Sequence, residues 1–351
     1  MTEPSPLRFP PEWAEQSAVL LAWPYGKGDF SPWLDEVEAT YEAIAFNIAS
    51  RQRLIIACQD TQHRRLIENR LYGRGVNLAN VSLVEIPYND VWVRDTAPLT
   101  VETDKGPQLL DFRFNGWGGK YEHGDDARLA RNLYNTGALG RTRMESVDFV
   151  LEGGSLETDG EGTLLTTTYC LLNPNRNSGL SQAQIEEQLK SAFGLKRVLW
   201  LGHGHAEGDD TDAHVDTLAR FCPHQTIAYT ACDDPHDADY AGLKAMEDDL
   251  KTLRTADGKP YKLVPLPIPK PIHSEDGGRL PATYANFLII NGAVLVPVYG
   301  DPADDVALRR IQECFPGREM VSIPSTPLIR QFGSIHCMTM QFPKSVSMCP
   351  L

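Results

Sequence analysis

Residues 147–201 read VDFVLEGGSLETDGEGTLLTTTYCLLNPNRNSGLSQAQIEEQLKSAFGLKRVLWL. Apolar runs near 147–157 and 163–172 read as two strands. Ser181 with Gln184 three residues later is a capping box ahead of helical spacing over 181–193, and 196–201 is a third apolar strand. The unit is therefore β-β-α-β and not simple β-α-β. The same rhythm extends outward. Ser17–Trp23 and Arg53–Cys58 read as buried strands around a helix over 33–51. Further strands fall near 81–87, 108–114, 217–230, 261–268, 284–299, 319–323 and 334–341, and helices near 61–72, 126–136, 238–254 and 303–315, the last entered through Pro302. Five or six such units would pack as one mixed α/β body. No residue-level repeat accompanies them. The proline-rich stretch Pro265–Pro281, PLPIPKPIHSEDGGRLP, favours an extended segment and an acidic glycine turn. It reads as a long surface loop within one domain spanning 1–351.

The 351 residues are 42% hydrophobic, enough for a sizeable core, and carry a formal net charge of -14 with no run of Lys or Arg. That balance argues against nucleic acid, whose phosphates call for basic patches, and favours small cations through electrostatic steering. The opening MTEPSPLRFPPEW lacks the pattern of a signal peptide, and no apolar run approaches the length of a membrane span. Seven cysteines without CxxC spacing suggest reduced thiols in a cytoplasmic protein.

Among those cysteines, Cys337 in Gly333-Ser334-Ile335-His336-Cys337-Met338-Thr339-Met340 follows a glycine turn at the head of a short apolar strand. Taken alone, such a cysteine serves structure more often than chemistry. A nucleophilic thiol needs a base or an electropositive setting. In a strand, the adjacent His336 would face away from Cys337, so a more distant histidine is the better partner. His214 in DDTDAHVD is that candidate, and in an extended segment Asp216 shares its face. Glu152 precedes Gly153-Gly154, where glycine permits a bend and a close approach. Asp90, Trp92 and Asp95 in NDVWVRDTAP combine acid with aromatic surface, and Trp117 in FRFNGWGGKY adds another aromatic beside flexible backbone. Each segment by itself also reads as an ordinary turn or loop. The dense set His203, His205, Asp209, Asp210, Asp212, His214 and Asp216 raises a metal site as an alternative, although its spacing matches no HExxH-type pattern.

Taken together, the motifs resemble the agmatine deiminase family of the guanidine-modifying superfamily: NDVWVRDTAP at 89–98, FRFNGWGGKY at 112–121, EGGSLETDGEGTLLTT at 152–167, CLLNPNRN at 170–177, DAHVDTLARF at 212–221 and SIHCMTM at 334–340. The resemblance covers nearly the whole chain. It implies a five-bladed pseudo-symmetric α/β-propeller of ββαβ-type units with a central active site, Cys337 as nucleophile, His214 as general acid/base, Glu152 as its carboxylate partner, and Asp95 and Asp216 on the guanidinium nitrogens. The implied reaction converts agmatine and water to N-carbamoylputrescine and ammonia through an S-amidino-cysteine. It needs no cofactor or metal, and the resemblance is compatible with a homodimer. The sequence departs from the family at Phe332-Gly333-Ser334 and Met340-Gln341 around the nucleophile and at Ala97 after Arg94-Asp95-Thr96. These positions bear on substrate choice, so arginine or peptidyl-arginine stands beside agmatine. A metal-dependent amidohydrolase and a non-catalytic binder of polyamine-like cations are the other classes.

Overall fold

The computed structural model of the chain describes residues 7–349. Contacts between residues divide the chain into two compact units. Among the described residues, those up to Gly153, Ile289–Gly292 and those from His336 onward form the first; Gly154–Leu288 and Ala293–Ile335 form the second.

In the first unit, the buried strand Gln16–Ala22 pairs antiparallel with Thr339–Pro343 and parallel with Arg53–Cys58, which is in turn parallel to Val81–Glu85. Helix Leu34–Ala49 joins the first two parallel strands and buries Val37, Tyr41, Ile44, Ala45 and Ile48, spaced to share one helical face. A second sheet sets Leu99–Thr103 antiparallel to Gly106–Arg113, and helix Leu129–Asn135 leads to the parallel strand Arg143–Val150.

The second unit repeats the arrangement. Glu157–Thr158 and Thr163–Thr167 pair antiparallel, helix Gln182–Phe193 crosses over, and Arg197–Leu201 joins in parallel. The capping box of Ser181 and Gln184 is formed, and Gly194 ends that helix in the left-handed conformation. Ala219–Cys222 and Thr226–Thr230 follow the same plan with helix Tyr240–Thr252 and strand Lys262–Leu266. Strand Ala293–Val298 reaches its parallel partner Glu319–Pro324 through helix Ala303–Cys314. The result is a mixed α/β fold of several small sheets. No helix among the described residues is long and apolar enough to cross a membrane.

Several predicted strands are divided or shifted. The run 217–230 is a hairpin turned by Pro223-His224-Gln225, in which His224 and Gln225 have φ of 60° and 55° without glycine. The run 284–299 is broken by Asn291-Gly292 into Leu288–Ile290 and Ala293–Val298. At 163–172 the strand stops at Thr167, whose side chain caps the helical turn Thr168–Leu171. The run 147–157 ends at Val150, because Gly153–Ser155 form a 3-10 turn. The short strand Glu157–Thr158 stands at the far end of that run, and strand Leu99–Thr103 has no counterpart in the prediction. Pro265 lies inside the strand Lys262–Leu266, on the outer edge of its sheet, where a missing N–H leaves no ladder bond unmade.

The second unit holds a buried charge pair. Arg220 donates from Nε to Glu157, and from Nη1 to the carbonyls of Ala285 at 2.9 Å and Phe287 at 2.7 Å, with its guanidinium 4.5 Å from the Phe287 ring centre. Glu157 also accepts from the Phe221 N–H at 2.9 Å. Removing one partner strands the other charge away from water, which costs about 3–5 kcal/mol. Arg220→Ala is therefore expected to lower the denaturant midpoint of the second unit strongly, and an unchanged midpoint would refute this role.

Candidate active site

In the first unit, three of the predicted motifs meet at Arg94. Its side chain is 2% exposed. The backbone N–H of Arg94 donates to the Cys337 carbonyl at 3.1 Å, and Nε donates to the His336 carbonyl at 3.3 Å. Nη2 reaches Oε1 of Gln341 at 2.6 Å, and Nη1 reaches Oε1 of Glu12 at 3.1 Å. The Arg94 carbonyl faces Gly153, where a Cβ would lie 2.2 Å from that oxygen. Glycine is required there because two backbones touch. Glu152, fully buried, precedes this contact directly.

Cys337 is buried in a turn over 335–338, just before strand Thr339–Pro343. The expected strand thus begins two residues after the cysteine, and His336 is not set opposite it by strand alternation. His336 is occupied instead by Glu12, with Nε2 2.9 Å from both carboxylate oxygens. Asp95 is buried in the helical turn Val93–Thr96, and its Oδ2 accepts from Trp117 Nε1 at 3.0 Å. Trp117 has φ 52° and ψ 49°, a left-handed conformation costly for a bulky residue, and packs edge-on against Phe114 and Tyr121. Trp92 donates from its ring to Asp90 at 3.0 Å.

Asp90 and Asp126 form an acidic pair beneath this turn. Asp126 Oδ1 accepts from the N–H groups of Asn89 and Asp90 at 2.8 and 3.2 Å. Burial, with added repulsion from Asp126, pushes the Asp90 carboxyl up to about 7. Burial likewise raises Asp126 to about 6.

In the second unit, His214 and Asp216 are both buried. They do not lie on an extended strand: Val215–Thr217 is a 3-10 turn, so the two-residue spacing is not that of strand neighbours. The turn before it holds Asp212 at φ 65° and Ala213 at φ 63°. Side chains hold these residues from several directions. Arg176 donates to Asp212 Oδ2 at 2.7 Å and to the Thr211 carbonyl at 3.0 Å. Asp209 accepts from the Ala213 N–H at 2.6 Å, Thr211 Oγ1 accepts from the His214 N–H at 3.1 Å, and Thr167 Oγ1 donates to the Ala213 carbonyl at 2.7 Å. Asn286 Nδ2 lies 3.5 Å from the Asp216 carbonyl oxygen.

The predicted ligand cluster over 203–216 disperses. His203 turns to Asp249 at 3.0 Å on the surface, while Asp209 and Asp212 brace the turn before His214. Among the described residues, these side chains alone form no group of metal-ligating size.

Residues 8–343 match the model of the Porphyromonas-type peptidyl-arginine deiminase family. The chain belongs to this family. It is 34% identical to the agmatine deiminase of Stutzerimonas stutzeri, over 95% of each chain. A solved structure of C. jejuni agmatine deiminase, a cysteine-to-serine variant with substrate bound, superposes with a TM-score of 0.89 at 34% identity, over 99% of each chain. A Porphyromonas gingivalis structure described as a candidate arginine deiminase superposes with a TM-score of 0.89 at 47% identity, covering 97% of this chain and 99% of that one.

Within this deiminase family member, sequence reasoning did not single out Arg94, Glu12 or Arg176. Arg94 was readable only as a surface partner of Asp95, since nothing local marks it as buried. Glu12 and Arg176 act on residues far along the chain, and neither carries a local signal of that.

Two outcomes follow from this geometry. Gly153→Ala drives a Cβ into the Arg94 carbonyl and is expected to cost about 1–3 kcal/mol in unfolding free energy; a neutral effect would refute the close contact. Asp126→Asn keeps the acceptor oxygen and removes the charge. A carboxyl raised on folding contributes stability that is complete below about pH 4 and is lost as pH rises through about 6. The variant should therefore gain midpoint over wild type at pH 8 and match it at pH 4, as read by urea unfolding.

Proposed function

We propose that the protein hydrolyses the guanidinium group of agmatine, yielding N-carbamoylputrescine and ammonia, in polyamine metabolism. The observation that carries this reading is the end-to-end match to agmatine deiminases, in sequence and in a substrate-bound structure. We further propose that the hairpin–helix–parallel-strand units form a five-bladed propeller, that residues 1–351 make one domain, and that Cys337, Glu152 and Asp95 converge with His214 and Asp216 at its axis. The recurrence of the unit across several small sheets supports this arrangement. A homodimer in the cytoplasm belongs to the same reading.

A guanidinium is planar, cationic and a poor electrophile. Asp95 and Asp216 would hold its nitrogens through charge-assisted hydrogen bonds. At an effective dielectric of 20, a unit-charge pair at 4 Å is worth on the order of 4 kcal/mol, so two carboxylates select strongly for a cation. Trp117, bonded to Asp95, would keep that carboxylate aimed. Asp90 and Trp92 would shape the wall beside it. The Cys337 thiolate attacks the guanidinium carbon, and His214, supported by Glu152, protonates the departing amine. Ammonia leaves and an S-amidino-cysteine remains. Water, deprotonated by His214, adds to that carbon, and collapse expels the thiolate and releases the urea. No step calls for a metal or cofactor.

Arginine is the second reading, favoured by the 47% identity to the candidate arginine deiminase. It would require a cation for the α-carboxylate, whereas agmatine ends in an ammonium suited to acidic and aromatic surroundings. Cys337→Ala should lower ammonia release by more than about a thousandfold while leaving a folded protein. Assay of agmatine, arginine and a C-terminal-arginine peptide side by side decides the substrate. Faster turnover of arginine would overturn the preference, and turnover retained without Cys337 would sink the mechanism.

A further inference from the structure

Glu12 belongs to the segment Arg8-Phe9-Pro10-Pro11-Glu12-Trp13, to which the mechanism above gives no task. Its side chain is 11% exposed and lies between two groups that hold the nucleophile's turn. Oε1 accepts from Arg94 Nη1 at 3.1 Å, and both carboxylate oxygens lie 2.9 Å from His336 Nε2, which must donate to them. Arg94 in turn donates to the carbonyls of His336 and Cys337, two consecutive peptide groups. All of these contacts lie within the first unit. Glu12 thus reaches the cysteine's backbone through one intermediary on either side, and is not itself a catalytic residue.

A buried guanidinium keeps its place only when its charge is offset. Gln341 and Met340 accept from Arg94 without carrying charge, whereas Glu12 brings a full negative charge. The carboxylate therefore has two effects. It fixes the rotamers of Arg94 and His336, and it offsets the positive charge that Arg94 holds against the backbone of the cysteine's turn.

We propose that Glu12 is a positioning residue for Cys337, locking Arg94 and His336 and through them the turn that presents the thiol. The proposal rests on the reading of Cys337 as nucleophile. Its signature is a pair of opposite changes. Without the carboxylate the turn loosens, and a misplacement of even 1 Å costs up to about a hundredfold in rate. The uncompensated Arg94 charge meanwhile favours the thiolate in the empty enzyme, because nearby positive charge lowers a thiol's pKa.

The test uses the full chain with Glu12→Gln, which keeps the shape, and Glu12→Ala. Turnover of agmatine is measured, together with the rate of Cys337 alkylation by iodoacetamide at pH 7, mapped by peptide. Cys58, buried in the same unit, reports unfolding if it becomes labelled. In Glu12→Gln, kcat should fall about tenfold to a hundredfold with KM rising no more than about threefold, while Cys337 alkylation speeds up about fivefold and Cys58 stays unlabelled. Unchanged turnover and alkylation would overturn the proposal, as would a parallel fall in both. If Glu12→Ala unfolds, Glu12→Gln carries the decision. Alkylation needs no substrate, so a wild type inactive on every guanidine would sink the functional reading and leave this comparison standing. An active wild type with an indifferent Glu12→Gln would sink only the role of Glu12.

Discussion

The first unit depends on how Arg94 uses its hydrogen-bond donors. Its main chain and side chain hold the carbonyls of Cys337 and His336, the latter 242 residues further along the chain, while its own carbonyl seats Gly153. The residue after Arg94 is Asp95, and the residue before Gly153 is Glu152. One buried residue, through main chain and side chain together, therefore sets the separation of three short turns, each carrying a reactive or charged group. A lysine could not replace it, because a point charge lacks the planar fork that satisfies carbonyl, carboxylate and amide together.

Backbone strain collects in the segments that carry these groups. Six non-glycine residues among those described have left-handed φ values, and Trp117, Asp212, Ala213 and Phe332 lie within the motifs of the candidate site or beside them. Such conformations cost on the order of 1–3 kcal/mol each and persist only where the surroundings over-determine them. Around Asp212 and Ala213 the determinants are explicit: Arg176, Asp209, Thr211 and Thr167 all bond to the same short turn. The turn before the histidine is thereby braced against relaxation from several directions at once.

Much of this was legible in the sequence, because strand–helix alternation and capping are local signals. The helix after Ser181 and the parallel strands Arg53–Cys58 and Arg197–Leu201 stand where their patterns placed them. Errors arose where a turn lacked its usual residues. His224-Gln225 makes a left-handed hairpin turn without glycine, so two strands read as one. Thr167 stops a strand by capping, and a β-rich apolar run hides that. The acidic and cysteine motifs were visible as motifs, but their wiring was not. Nothing near Glu12 or Arg176 in the chain announces partners 82 and 324 residues away in one case and 36 and 35 in the other, since such pairing exists only in three dimensions.

The pairing of Thr339–Pro343 with Gln16–Ala22 also constrains the order in which the protein can mature. Of the described strands, the first one made waits for the last one made, and during synthesis Gln16–Ala22 has an open edge where its antiparallel neighbour belongs. The turn bearing Cys337 arrives with that final strand. A ribosome-bound chain can therefore assemble much of its scaffold before Cys337 has been translated, and a chain released short of residue 337 is left unpaired at one sheet edge.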